Sequence, residues 1–342
     1  MVMRSIVLIF LVMALPLASG DELQETVEVQ LVQVDLVATN SKGALVNDLT
    51  AEDFTLKENG AIQTITHFYN AAGEDSEYPL TVSFLVDTSF SMGERVAGMT
   101  RIEIAVKAAE MVMDLLKKND QVEVIEFNTR PEAIVPFTSD LTSAREKFKT
   151  LTFREANTAM RDAVVLALDR IKSQSGRKIV VIFSDGMDSG SKTVEQDAFD
   201  AVKKSDATIV TFFSELSNFA AIGLGGPSGS PNRIKTQIGE DALREYADIS
   251  GGQFFSFRKE PELLKAMEGF RAIITGQYTL AYTPGAGKKK SGWRKIKVEC
   301  KRKDVKLRHR EGYWAGLTAE LQSVINCSLQ EYNVRKERDN AC

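Results

Sequence analysis

The sequence predicts an α/β chain: a doubly wound, mostly parallel sheet inserted in a small β-sandwich built from N- and C-terminal strands. Three observations predict it. From Thr81 to residue 275, strand-like and helix-like patterns alternate, the signature of a parallel sheet covered by helices. Within that stretch residues 178–184 are nearly all apolar, as a central strand buried on both faces must be. On either side, at 22–70 and 276–315, the pattern is β alone, and neither set makes a stable sheet without a partner.

Taken in order, residues 1–20 read as a secretory signal peptide. Arg4 gives the positive start, 6–17 is an apolar core too short to span a bilayer, and Ala18-Ser19-Gly20 precedes a cut before Asp21. An exported protein is expected, periplasmic or extracellular, without stable membrane insertion after cleavage; an uncleaved anchor is the alternative. The N-terminal β segment, 21–79, holds strands at about 26–38, 54–58 and 62–69, and a polar linker at 71–79. The apolar phase switches at Leu31-Val32, which suggests a bulge, and Asn59-Gly60 is a hairpin signal.

Residues 80–275 form the α/β domain. Strands are expected at 81–87, 122–127, 132–137, 178–184, 207–213 and 252–257. Helices are expected at about 101–118, 142–150, 158–174, 194–204, 240–249 and 260–275. The Gly/Ser/Pro-rich stretch 214–239 reads as a surface loop that leaves a strand at its carboxyl end and can reach over whatever binds there. The C-terminal β segment, 276–315, contributes three strands that pair with the first three, and 316–342 is a polar tail. Its lysines and arginines fall on the polar phase of half-buried strands, which keeps edges soluble, rather than forming a nucleic-acid patch.

Composition excludes several classes. The chain has 342 residues, is 43% hydrophobic and carries a net charge of −4, so nothing points to nucleic acid. Only His67 and His309 are available, and both fall in β segments, so neither a His-based zinc site nor a Ser-His-Asp triad is easily assembled. Cys300, Cys327 and Cys342 lack zinc spacing; their odd number leaves one thiol unpaired or bridging chains, and a Cys300–Cys327 bond is possible.

The chemistry sits in Asp87-Thr88-Ser89-Phe90-Ser91, where a strand ends. Alternate residues can point one way, so a carboxylate and two hydroxyls can converge, and hard oxygens suit a hard cation such as Mg²⁺ or Mn²⁺. The pattern D-x-S-x-S alone turns up by chance in roughly one chain in twenty of this length. A solvated, helix-capping turn is the plainer explanation of such a segment. Two further residues change the balance: Thr158, which opens a long amphipathic helix, and Asp185, which ends the strand 178–184 in Ser-Asp-Gly. Both aspartates fall at carboxyl ends of strands, where open α/β sheets bind ligands.

These five residues resemble the metal-ion-dependent adhesion site of von Willebrand factor type A (VWA) domains. The resemblance implies metal ligation by Asp87, Ser89, Ser91, Thr158 and Asp185 from three loops. Phe90 and Asn157 stand where that family often has Gly; neither change removes a ligand. The flanks, with 49–54, Glu58-Asn59-Gly60, 277–282, 294–298 and Gly312-Tyr313, resemble the VWFA-related domain family described from acidobacteria. The flank resemblance bears on the fold; the metal-site resemblance implies a non-enzymatic adhesion or protein-binding module whose Mg²⁺ (or Mn²⁺) is completed by an Asp or Glu carboxylate of a protein partner. An envelope scaffold with a structural or vestigial site is the alternative. A metal-dependent hydrolase is a third reading, against which stands the lack of a clear general base or nucleophile.

Overall fold

The computed structural model describes residues 31–71, 79–96, 98–154, 157–214, 231–275, 277–284 and 292–315. The expected signal peptide, most of the linker at 71–79, the tail at 316–342 and, with it, Cys327 and Cys342 lie outside the described residues. Cys300 is a free thiol.

The described residues open with β1 (Val32–Asn40), β2 (Phe54–Glu58), β3 (Ala61–Gln63) and β4 (His67–Asn70). Next come β5 (Leu80–Asp87), a small hairpin of β6 (Arg95–Val96) and β7 (Met99–Thr100), α1 (Arg101–Met113), β8 (Gln121–Phe127) and β9 (Pro131–Thr138). There follow α2 (Leu141–Lys149), α3 (Met160–Ile171), β10 (Arg177–Ser184), α4 (Glu195–Lys204), β11 (Thr208–Ser214), α5 (Pro231–Ser250), β12 (Gln253–Phe257) and α6 (Glu260–Thr275). The last described elements are β13 (Gln277–Tyr282), β14 (Gly292–Cys300), β15 (Val305–His309) and β16 (Gly312–Ala315).

The central sheet runs β12-β11-β10-β5-β8-β9, parallel throughout except where β9 pairs antiparallel with β8. Every residue of β5 and β10 is buried, which explains why both read as continuous apolar runs. One face packs on α1, α2 and α6 through Ile104, Val112, Phe148 and Phe270. The other packs on α3, α4 and α5 through Val164, Leu168, Val202 and Leu243. Strand order proceeds one way from β5 to β8 and the other way from β10 to β11. The reversal lies between β5 and β10, the place where helices diverge and leave a crevice at the strand ends.

Several helix boundaries differ from expectation, among them the end of α3 at Ile171 rather than 174. α1 ends at Met113 rather than near 118, because Asp120 closes a turn by accepting bonds from the backbone N–H of Lys117 and of Leu80, each 2.7 Å. α3 begins at Met160, not at Thr158. α5 begins at Pro231 rather than near 240, with proline in the first helical position, where its missing N–H costs nothing. Part of the expected 214–239 loop is therefore helix, and 215–230 lies outside the described residues.

The flanking strands form two facing four-stranded sheets, β15-β1-β13-β4 and β16-β14-β2-β3, each drawing strands from both ends of the chain. Their shared core includes Val34, Leu36, Leu56, Tyr278, Leu280 and Ile296. Among the described residues four strands come from each flank rather than the three expected. The 62–69 run splits into β3 and β4, which join different sheets, and the Gly312–Ala315 segment leaves β15 to pair with β14. Asn59 (φ 48°) and Gly60 (φ 85°) make the tight turn from β2 to β3, a conformation those two residue types adopt most readily. From Val32 to Ala38 inward residues alternate without a break, so no bulge appears on the described side of Leu31.

Inside the sandwich Glu58 is buried and fully engaged. Tyr282 and Tyr313 each donate to Oε2 at 2.8 Å, and Arg294 donates to Oε1 at 2.9 Å. At the amino-terminal edge of the central sheet, Arg177 ties both chain crossings. Its N–H donates to Pro79 O at 2.8 Å, and its guanidinium donates to Ile273 O and Ile274 O at 3.3 Å. Arg308 and Arg310 reach across to Gly252 O (2.6 Å) and Ser205 O (3.0 Å). Glu58→Ala strands two tyrosine hydroxyls and an arginine in the sandwich, and should lower unfolding free energy by about 3 kcal/mol in urea titration. A loss below about 1 kcal/mol would show that the cluster contributes no net stability.

Candidate metal centre

β5 and β10 are neighbours in parallel register, Phe183 beside Val86, so their ends deliver Asp87 and Asp185 side by side at the strand-order reversal. Both are buried, Asp185 at 1% exposure. Asp87 is held on both oxygens: Ser89 N–H donates to Oδ1 at 2.8 Å and the Ser184 hydroxyl donates to Oδ2 at 2.7 Å. The first of these bonds closes a tight turn that folds the loop back over the strand end. It leaves the Ser89 and Ser91 hydroxyls 3.2 Å apart. Burial, and after it the charge of Asp185, push the Asp87 carboxyl up to about 7.

Thr158 is itself buried, in the loop between α2 and α3. Its neighbour Ala159 donates to Asn128 O at 2.6 Å, and the Asn128 side chain donates to the Thr88 hydroxyl at 3.0 Å, next to Asp87. On its other side, Thr158 O accepts from Ser189 and Gly190 N–H at 2.9 Å, a few residues past Asp185. Arg154 N–H also donates to Thr88 O at 3.0 Å, so the three loops are sewn together. The expectation that Thr158 opens the helix is corrected by the same contacts. Asp188 accepts from Arg161 N–H (2.9 Å) and the Ser191 hydroxyl accepts from Asp162 N–H (3.2 Å). The first turn of α3 is therefore capped by the third loop rather than by Thr158.

Gly186 fixes the third loop. Its φ is +74°, and a Cβ there would meet the Gly239 carbonyl of α5 at 2.5 Å. Of the stretch expected to reach over the site, Gly239 meets the third loop as helix backbone, and 215–230 lies outside the described residues. Above it, Phe90 is 70% exposed and packs edge-on against Phe153, ring centres 5.9 Å apart. Phe153 in turn lies on Gly93, where a Cβ would meet its ring at 2.7 Å.

Sequence reading missed Arg101, which is only 2% exposed. Its guanidinium donates to Asp185 Oδ2 (3.3 Å), Ser91 O (3.2 Å) and Glu94 Oε2 (3.3 Å). The β6–β7 hairpin returns the chain so that Arg101 N–H meets Glu94 O at 3.1 Å, and the Thr100/Glu103 capping box starts α1 at that point. The signal was present in Thr100-Arg101-Ile102-Glu103. An arginine at the first position of a helix opposes the macrodipole and calls for an acidic partner.

Chemically, two carboxylates and three hydroxyls make a hard, oxygen-only donor set of the kind Mg²⁺ or Mn²⁺ takes, and the mutual repulsion of two buried carboxylates is what a dication relieves. Among the described residues no group of three or more His, Cys, Asp or Glu could hold a metal, so any such site here depends on hydroxyls.

Comparison with known proteins places the central sheet. A family model of the von Willebrand factor type A domain matches residues 82–187. Residues 82–187, from β5 to the third loop, are thus those of a VWA domain. A UPF0353 protein of Nocardia farcinica is 23% identical over 201 residues, covering 54% of this chain; the match spans 59% of that relative's length. Among solved structures, conserved hypothetical protein BatB from Bacteroides thetaiotaomicron is similar at 18% identity and a TM-score of 0.41, covering 56% of this chain and 98% of that one. The vWF domain of the type V pili tip protein Mfa5 from Porphyromonas gingivalis is similar at 13% identity and 0.43, covering 56% and 94%.

The VWA loops also predict a pH response. A carboxyl that holds its proton more tightly folded than unfolded favours the folded state at low pH. In chelator, stability from Asp87 should therefore fall as pH rises from about 4 to about 7. Melting temperatures of wild type and Asp87→Asn across that range check this. The mutant curve should be flatter, and parallel curves would remove the account of Asp87.

Proposed function

We propose that this chain is a metal-dependent protein-binding or adhesion module. The observation that carries the reading is the meeting of Asp87, Ser89, Ser91 and Asp185 at the reversal point of a VWA sheet, with the Thr158 loop bonded to both neighbours. Ser89, Ser91 and Thr158 would hold Mg²⁺ or Mn²⁺ through hydroxyls, and Asp87 and Asp185 would supply the charge. When bound, the cation offers an electron-poor position that an Asp or Glu carboxylate of a protein partner fills. The chain's own residues do the rest. Ser184 and the Ser89 N–H fix the Asp87 carboxylate, the backbone ties hold the loops in register, and Phe90 presents an apolar ring at the rim to whatever carries that carboxylate.

A non-catalytic role is the reading the two histidines support. His309 is engaged in the sandwich, accepting from Val298 N–H at 3.1 Å, and His67 lies in β4, so neither serves as a base at the loops. Export is read from residues 1–20. Among the described residues no helix is long and apolar enough to cross a membrane. The second reading, an envelope scaffold with a structural or vestigial site, is favoured by one observation: Arg101 already gives Asp185 a positive partner.

Calorimetric titration of the full chain with Mn²⁺ tests the proposal. Saturable binding is expected, weakened at least tenfold in Asp87→Ala. Equal binding by both proteins would place the metal elsewhere, and partner capture unchanged by chelator would favour the scaffold.

A further inference from the structure

We infer that Arg101 is a built-in counter-cation that competes with the divalent ion for Asp185 and sets the affinity of the site. The inference rests on the metal-site reading given above. Its basis is geometric. The guanidinium bridges Asp185, a candidate ligand, and the backbone carbonyl of Ser91, another. Both charged groups are almost wholly buried, at 2% and 1% exposure, so water screens their attraction little. An arginine there satisfies Asp185 without metal, and its charge repels a dication drawn to the same carboxylate.

The same side chain has an alternative acidic partner. Glu94 Oε2 lies 3.3 Å from Nη2, and the Glu94 side chain is 39% exposed, on the solvent side of the guanidinium. Retreat inward is blocked. Behind Arg101 is a cavity of about 10 Å³ lined by Met92, Ile104, Phe183 and Phe212, with room for no more than one water. The route away from Asp185 leads outward to Glu94. The two acids thus pull Arg101 in opposite senses: Asp185 holds it in the site, and Glu94 draws it off when a cation enters. A positive charge about 6 Å from a dication weakens binding roughly tenfold even in a water-like dielectric.

The test measures Mn²⁺ affinity of the full-length wild type, Arg101→Gln and Glu94→Gln by calorimetry, with melting temperatures in chelator and in Mn²⁺. Arg101→Gln should bind Mn²⁺ about tenfold tighter or more. It should melt lower than wild type in chelator, because Asp185 is left unpaired, and gain more from Mn²⁺. Glu94→Gln, at an exposed position, should shift affinity the opposite way, several-fold weaker. A purely structural Arg101 would lower the melting temperature without tightening binding, and that result overturns the inference while leaving the metal site intact. So does unchanged affinity in Glu94→Gln. Absence of Mn²⁺ binding in all three proteins overturns the metal-site reading and this inference with it.

Discussion

Two carboxylates buried side by side dominate this molecule. Parallel pairing of β5 with β10 at the strand-order reversal puts Asp87 and Asp185 at adjacent strand ends, inside the protein and short of water. Like charges so placed raise each other's cost of ionisation, and only a proton, a hydrogen-bond cage or a positive charge offsets it. The surrounding loops supply all three kinds of relief. Asp87 is caged by Ser89 N–H and Ser184 and binds its proton tightly, whereas Asp185 is met by Arg101. A dication would be a second source of positive charge to relieve the same strain. The site is in this sense a charge problem posed by the fold, and its function follows from which positive charge is present.

The far end of the sheet answers a different constraint. A domain inserted between two sets of strands must send its chain out and bring it back at neighbouring points. Arg177 performs that closure by bonding the entry at Pro79 and the exit at Ile273 and Ile274. Because those contacts lie at the amino-terminal ends of the strands, the sandwich grips the VWA sheet opposite to Asp87 and Asp185. Phe90, in the first of the loops at the carboxyl ends, remains exposed.

How much of this was legible in the sequence depended on the range of the interactions. The parallel sheet was legible because burial on both faces leaves continuous apolar runs, as at Ile179 to Phe183, and Asn59-Gly60 announced its turn through backbone sterics alone. Boundaries set by distant partners were not. α3 starts late because Asp188 and Ser191 cap it, and α1 stops early because Asp120 also serves β5. The split of 62–69 into two strands reflects sheet-to-sheet crossing, which no alternation pattern encodes. That Asp87 and Asp185 lie on neighbouring loops was readable because each follows the end of an apolar strand. Arg101 was not sought, although its place beside Asp185 had a local trace in the capping box at 100–103.

The most direct measurement is a crystal structure of the full chain grown with Mn²⁺, with anomalous diffraction recorded for manganese. The account predicts an anomalous peak among the hydroxyls of Ser89, Ser91 and Thr158, with the Arg101 guanidinium displaced from Asp185 toward Glu94. A map with no manganese at these loops and Arg101 still bonded to Asp185 would contradict it.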